Sequence, residues 1–140
     1  RVNELALMQI DDIDFDESKV FIPAQNTKTK QSRTPQVKPE VLNELKAYLK
    51  VMDKKKGKAF DISVRTIQNI VKKYGRKCGV DWIHPHTLRH SHIVHALMKG
   101  VTMVAVRKQV GHAKLETTQI YSDLSEADVK KAYKDAGVDF

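Results

Sequence analysis

Three successive stretches of the chain share one pattern: a capping residue, an apolar stripe at helical spacing, and a glycine stop. Ser63 opens the first, whose stripe is Val64, Ile67, Ile70, Val71, Tyr74 and Cys78, and Gly79 ends it. Pro85 and Thr87 open the second, with Leu88, Ile93, Val94, Leu97 and Met98 ahead of Gly100. Thr102 caps the third, with Met103, Val106 and Val110 ahead of Gly111. A hydroxyl side chain satisfies orphan N–H groups at a helix start, and glycine takes the left-handed backbone that closes one. The middle of the chain is therefore predicted to be helical.

The flanks are read in the same way. Residues 1–8 suit a helix, with Leu5 and Met8 three apart and Glu4 one turn from Arg1. Pro39 fits the first position of a helix to about Lys50, striped by Val41, Leu42, Leu45, Tyr48 and Leu49. Residues 115–121 read as a short helix or turn. Ser125 and Asp128 form a capping box for a last helix to about Ala136, stopped by Gly137. Residues 20–22 favour a strand behind an acidic, turn-like tract, residues 26–32 suit a hairpin tip, and 34–37 the return strand. Pro35 makes that return an edge strand or a bulge. The expected fold class is mainly α with a small antiparallel β-sheet near the N-terminus (α+β). The remaining aromatics Tyr48, Tyr74, Tyr133 and Trp82, with Met98, read as packing residues.

At 140 residues and 41% hydrophobic, the chain is one domain with enough apolar material for a core. No apolar run approaches the roughly 18 residues of a membrane span, and no signal peptide is visible. One cysteine, Cys78, excludes an internal disulfide and fits a reducing interior. The net charge of +8 points to an anionic partner. The charge is uneven. Six acids fall in the first 17 residues, whereas from Lys19 to Lys77 the bases dominate and the acids are only Glu40, Glu44, Asp53 and Asp61. A basic face built from several elements is expected, with a merely solvated surface as its bland alternative.

Five of the six histidines, His84, His86, His90, His92 and His95, fall within twelve residues. His86 and His90 have the i,i+4 spacing of a two-histidine metal face, but the segment offers no Glu as third ligand or base, so no metal is expected. The second candidate is a phosphate. At i,i+3, His86 and Arg89 share one face at a helix start, where the dipole and unpaired N–H groups favour an anion. Gly111-His112 follows another helix, and Tyr121 comes after it. His, Arg, His and Tyr in that order make a metal-free phosphoryl-transfer set.

These pieces resemble the tyrosine recombinase (phage integrase) family. They are HxLRH at His86–His90, VGH at Val110–His112 and TTQIY at Thr117–Tyr121. Arg1-Val2-Asn3-Glu4-Leu5 resembles the RxxEL box that carries the family's first catalytic arginine. Lys28 stands where the family places a catalytic lysine on a hairpin tip, with Lys30 as the near alternative. The resemblance covers essentially the whole chain and implies the tyrosine recombinase catalytic-domain fold over 1–140. The DNA-clamping domain such enzymes carry upstream is expected to be missing from this stretch.

The resemblance implies a site-specific recombinase or integrase that cuts and rejoins DNA through a 3′-phosphotyrosine. A phosphodiester resists attack because its oxygens are negative, and two guanidiniums hold that charge bidentately with no proton to lose. Arg1 and Arg89 take that role and His112 adds a hydrogen bond. Tyr121 is the nucleophile, His86 its base and Lys28 the general acid for the leaving 5′ oxygen. His90 supports the active-site helix. Further DNA contacts are expected at Lys30, Arg33, Arg65, Lys72 and Lys73, mostly to phosphates. No cofactor and no membrane are expected; the partners are double-stranded DNA and further copies of the chain, as a tetramer on DNA. The setting is intracellular, with a virus, plasmid or other mobile element as source. The alternatives are a type IB topoisomerase-like nicking-resealing enzyme and a DNA-binding module of the same fold without turnover.

Overall fold

The computed structural model describes residues 1–111 and 126–135. In chain order these form α1 (Val2–Leu7), β1 (Ile13–Asp14), β2 (Lys19–Val20), α2 (Pro39–Val51), α3 (Val64–Lys77), α4 (Pro85–Met98), α5 (Met103–Val110) and α6 (Glu126–Asp135). Two 3₁₀ turns, Ile10–Asp12 and Ala24–Asn26, interrupt the N-terminal part. The described residues are mainly helical, with one two-stranded antiparallel sheet among them. No helix among the described residues is long and apolar enough to cross a membrane.

The helix starts follow from the capping chemistry. The Ser63 hydroxyl accepts from the Thr66 amide at 3.1 Å and Thr102 from the Ala105 amide at 3.3 Å. At α4 the cap is His84, whose Nδ1 accepts from the Thr87 amide at 3.3 Å while Pro85 occupies the first helical position. Pro85 and Thr87 were expected to open this helix, and His84 was given no capping role. Ser125, Gly137 and residues 115–121 lie outside the described residues.

The sheet differs from expectation. The acidic tract contributes β1, which pairs with β2 in the register Ile13 with Val20 and Asp14 with Lys19. The connection turns through Ser18 at φ 53°, and Asp14 Oδ1 accepts from the Glu17 amide at 2.8 Å. The return segment is present as two isolated bridges, Lys19 with Gln36 and Ile22 with Arg33. Pro35 lies between them and has no N–H to give, although its carbonyl accepts from Val20 at 3.1 Å.

Among the described residues two apolar clusters are buried. Ile13, Val20, Leu42 and Ala59 form one, with Phe15, Leu45 and Phe60 against it. Ile93, Val106 and Val110 form the other, joining α4 to α5. Burying a side chain such as Leu42, 2% exposed, stabilises by about 1.5–3 kcal/mol. Gly75 lets the turn before α4 close on α3, because a Cβ there would collide with the Ile83 side chain and the Val80 carbonyl. Trp82, Tyr74, Met98, Tyr133 and Tyr48, read as packing residues, are all exposed. Tyr48 lies 5.9 Å from the Phe60 ring, and the Lys77 ammonium lies over the Tyr74 ring.

Candidate active site

The start of α1, the start of α4, the end of α5 and the turn after Ala24–Asn26 open onto one cleft of about 820 Å³. Arg1, Glu4, Lys28, Arg33, His86 and Arg89 line it. Four candidates taken from positions 1, 28, 86 and 89 of the chain thus share one cleft. His112 and Tyr121 lie outside the described residues; His112 directly follows Gly111, which does border this region.

Glu4 anchors the α1 side. It stands in the first turn of α1, where the helix dipole favours an acid, and its side chain is only 3% exposed. Arg33 grips it with both guanidinium nitrogens: Nη1 donates to Oε1 at 3.0 Å and Nη2 to Oε2. The Arg1 amino group donates to Oε2 at 2.9 Å, while the Arg1 guanidinium reaches Oε1 only at 3.5 Å. Burial pushes the Glu4 carboxyl up, but the bonds from Arg33 and from the Arg1 amino group outweigh it and hold it at about 2.

The end of α5 anchors the other side. Its last carbonyls have no partner within the helix and form the negative end of the dipole. Three arginines answer three consecutive carbonyls there. Arg33 Nε donates to Gln109 O at 3.4 Å, Arg89 Nη2 to Val110 O at 2.6 Å and Arg1 Nη2 to Gly111 O at 2.7 Å. The Gln109 side chain ties the same turn to the sheet, accepting from the Gln36 amide at 2.9 Å and donating to its carbonyl at 2.7 Å. Gly111 closes α5 at φ 71°, a conformation costly for other residues.

Lys28 is exposed on its turn. Buried Thr27 pins that turn, donating to Ala24 O at 3.0 Å and accepting from the Gln31 amide at 3.1 Å. Lys30 is exposed two residues on, at φ 55°, and does not line the cleft. His86 is exposed at the first turn of α4, its ring stacked 6.4 Å from that of His84. His90 is half-buried one turn further along and off the cleft wall. Arg65 and Lys72 line an adjoining groove with Gln68, Asn69, His84 and His86, and Lys73 is exposed beside it. Among the described residues no three His, Cys, Asp or Glu side chains gather as metal ligands.

Arg33 is the main departure. Expected as a DNA contact, it turns its guanidinium inward onto Glu4 and keeps 10% of its side chain exposed. Sequence reasoning quoted Glu4 within the RxxEL box but gave it no partner beyond Arg1. No spacing rule joins residue 4 to residue 33, and Gln109 carried no signal at all.

Residues 1–128 match the Phage integrase family. The tyrosine recombinase XerA of Pyrococcus furiosus is 34% identical over 148 residues, covering 99% of this chain and 50% of that protein. The tyrosine recombinase XerC of Thermodesulfovibrio yellowstonii is 33% identical over 135 residues, covering 87% of this chain and 45% of that protein. A crystal structure of XerA recombinase superposes with a TM-score of 0.82 at 25% identity, covering all of this chain and 54% of that one. The chain spans about half the length of these relatives. With a family match over nearly its whole length and a shared fold, the chain belongs to the phage integrase family.

Proposed function

We propose that this chain is the catalytic half of a site-specific DNA recombinase, acting on duplex DNA through a 3′-phosphotyrosine. The observation that carries the reading is the meeting of Arg1 and Arg89 at the end of α5, one residue ahead of His112. The two guanidiniums hold the non-bridging oxygens of the scissile phosphate, and His112 donates a further hydrogen bond. Tyr121 Oη attacks phosphorus while the P–O5′ bond breaks. A phenol with a pKa of about 10 is only about one part in a thousand phenolate at pH 7, a deficit of about 4 kcal/mol. The arginine pair and His86 as base offset it. Lys28 gives its proton to the leaving 5′ oxygen. The second strand's 5′-hydroxyl reverses the step, so strands exchange without an external energy source.

DNA places this work inside the cell, and a tetramer on DNA would bring the sites needed for exchange together. The names of the relatives support recombination over simple relaxation. The test is covalent capture on a nicked duplex bearing the attachment sequence, read on a denaturing gel. Wild type is expected to give an adduct that Tyr121→Phe does not. No adduct from wild type under saturating binding leaves only the non-catalytic DNA-binding reading.

A further inference from the structure

We propose that Arg33 is a positioning residue: by pairing with both Glu4 oxygens it leaves the Arg1 guanidinium only a long contact to Glu4, and thereby keeps Arg1 available to an anion. The inference rests on the cleft being a phosphate site, as proposed above. Glu4 is Arg1's natural partner, since the two are i,i+3 at a helix start. A buried carboxylate must find a cation, because leaving it unpaired is strongly unfavourable. Arg33 supplies that cation to both oxygens at once, and the Arg1 guanidinium is left at 3.5 Å from Oε1 and turned to Gly111 O. Without Arg33, the nearest cation to both Glu4 oxygens is Arg1. The pair would close, and a phosphate would have to compete with it.

Arg33 is also seated where a lysine would serve less well. Its side chain crosses beneath Gly111, with Cδ, Nε and Cζ each 2.8 Å from where a Cβ would stand. Its Nε meets Gln109 O on the same pass. A planar fork reaches a carboxylate bidentately and a carbonyl at once; an ammonium is a point charge. The seat is 10% exposed, so the residue acts through Glu4 and the α5 terminus and not by touching DNA.

The test uses the 140-residue chain with inorganic phosphate as the probe, followed by ³¹P NMR, and a mixed-sequence duplex as control. Arg33→Met is expected to weaken phosphate binding about tenfold or more, and Arg33→Lys by a smaller factor, both with duplex affinity within about threefold of wild type. The double variant Arg33→Met/Glu4→Gln is expected to recover most of the phosphate affinity, because a neutral amide no longer captures Arg1. A purely structural role would lower the melting temperature without changing phosphate affinity in the folded fraction. If Arg33→Met does not fold, Arg33→Lys and the double variant carry the comparison. Unchanged phosphate affinity in the folded Arg33 variants, or a double variant as weak as Arg33→Met, overturns the proposal. A wild-type chain that binds no phosphate overturns the anion-site reading along with it, whereas one that binds phosphate but never joins DNA covalently sinks only the recombinase reading.

Discussion

Arg33 passes so close beneath Gly111 that the glycine has no room for a side chain: a Cβ would stand 2.8 Å from three atoms of the arginine. The same glycine closes α5 at φ 71°. Gly111→Ala therefore meets two obstacles, a left-handed backbone costing about 1–2 kcal/mol and an arginine pinned by Glu4. The expected outcome is a loss of about 2–3 kcal/mol in urea unfolding, more than the backbone cost alone. A loss within the backbone cost would mean that Arg33 moves aside freely.

The Glu4 carboxyl, held at about 2 against an ordinary 4.5, makes the fold acid-sensitive in a defined window. A depressed carboxyl stabilises the folded state fully above its ordinary pKa. That contribution drains away as pH falls through its folded value, so the window is roughly pH 4.5 to 2. The magnitude is about 2–3 kcal/mol for a paired carboxylate of this kind. Urea midpoints measured between pH 6 and 2, about the range that brackets the window, check it. Wild type should lose more stability there than Glu4→Gln, which starts lower because Arg33 is left buried without its partner. Parallel curves for the two proteins would refute the assignment.

Much of this arrangement is visible in the sequence because it is local. Ser63 and Thr102 cap helices one turn away, and Gly111 stops α5 next to it, so short-range rules find them. His86 and Arg89 share a helix face for the same reason. The contacts that assemble the cleft are of another kind. Arg33 to Glu4 spans 29 positions, Gln109 to Gln36 spans 73 and Arg1 to Gly111 spans 110. No periodicity encodes such pairs. Arg33 looked like one more cation on a basic stretch, and only packing reveals that its charge is spent inward. The short sheet misled for a physical reason too: acidic residues suggested turn alone, yet Ile13 between them is buried and pairs with Val20.

The Thr102 cap lies at the far end of the helix whose last carbonyls receive the three arginines. Removing it should loosen α5 as a whole, since the helix has only eight residues. Thr102→Ala is expected to cost about 1 kcal/mol. Ser63→Ala, on a fourteen-residue helix, should cost a similar amount globally while leaving the cleft undisturbed. Amide hydrogen exchange separates them. Faster exchange at Val110 and Gly111 in Thr102→Ala alone is the expected pattern, and equal exchange in both variants would count against a link from cap to cleft.

Arg65, Gln68, Asn69 and Lys72 follow one another at i, i+3, i+4 and i+7 along α3, and all four line the groove that continues past His84 and His86. Lys73 is turned about 100° from Lys72 around the helix axis. If duplex DNA runs along this groove, Lys72 neutralises a phosphate directly and Lys73 does so less fully. Each phosphate neutralised releases condensed counterion, so the slope of log affinity against log salt reports the number of contacts. Lys72→Ala should lower that slope by about 1 unit, and Lys73→Ala by distinctly less. Arg33→Met should lower it by less than Lys72→Ala does, because that guanidinium faces Glu4 and acts on a phosphate only through Arg1. Salt titrations of duplex binding for the three variants give the answer in one experiment. A slope that falls for Arg33→Met as much as for Lys72→Ala would place Arg33 on the DNA after all, and an unaltered slope for Lys72→Ala would turn the α3 face away from it.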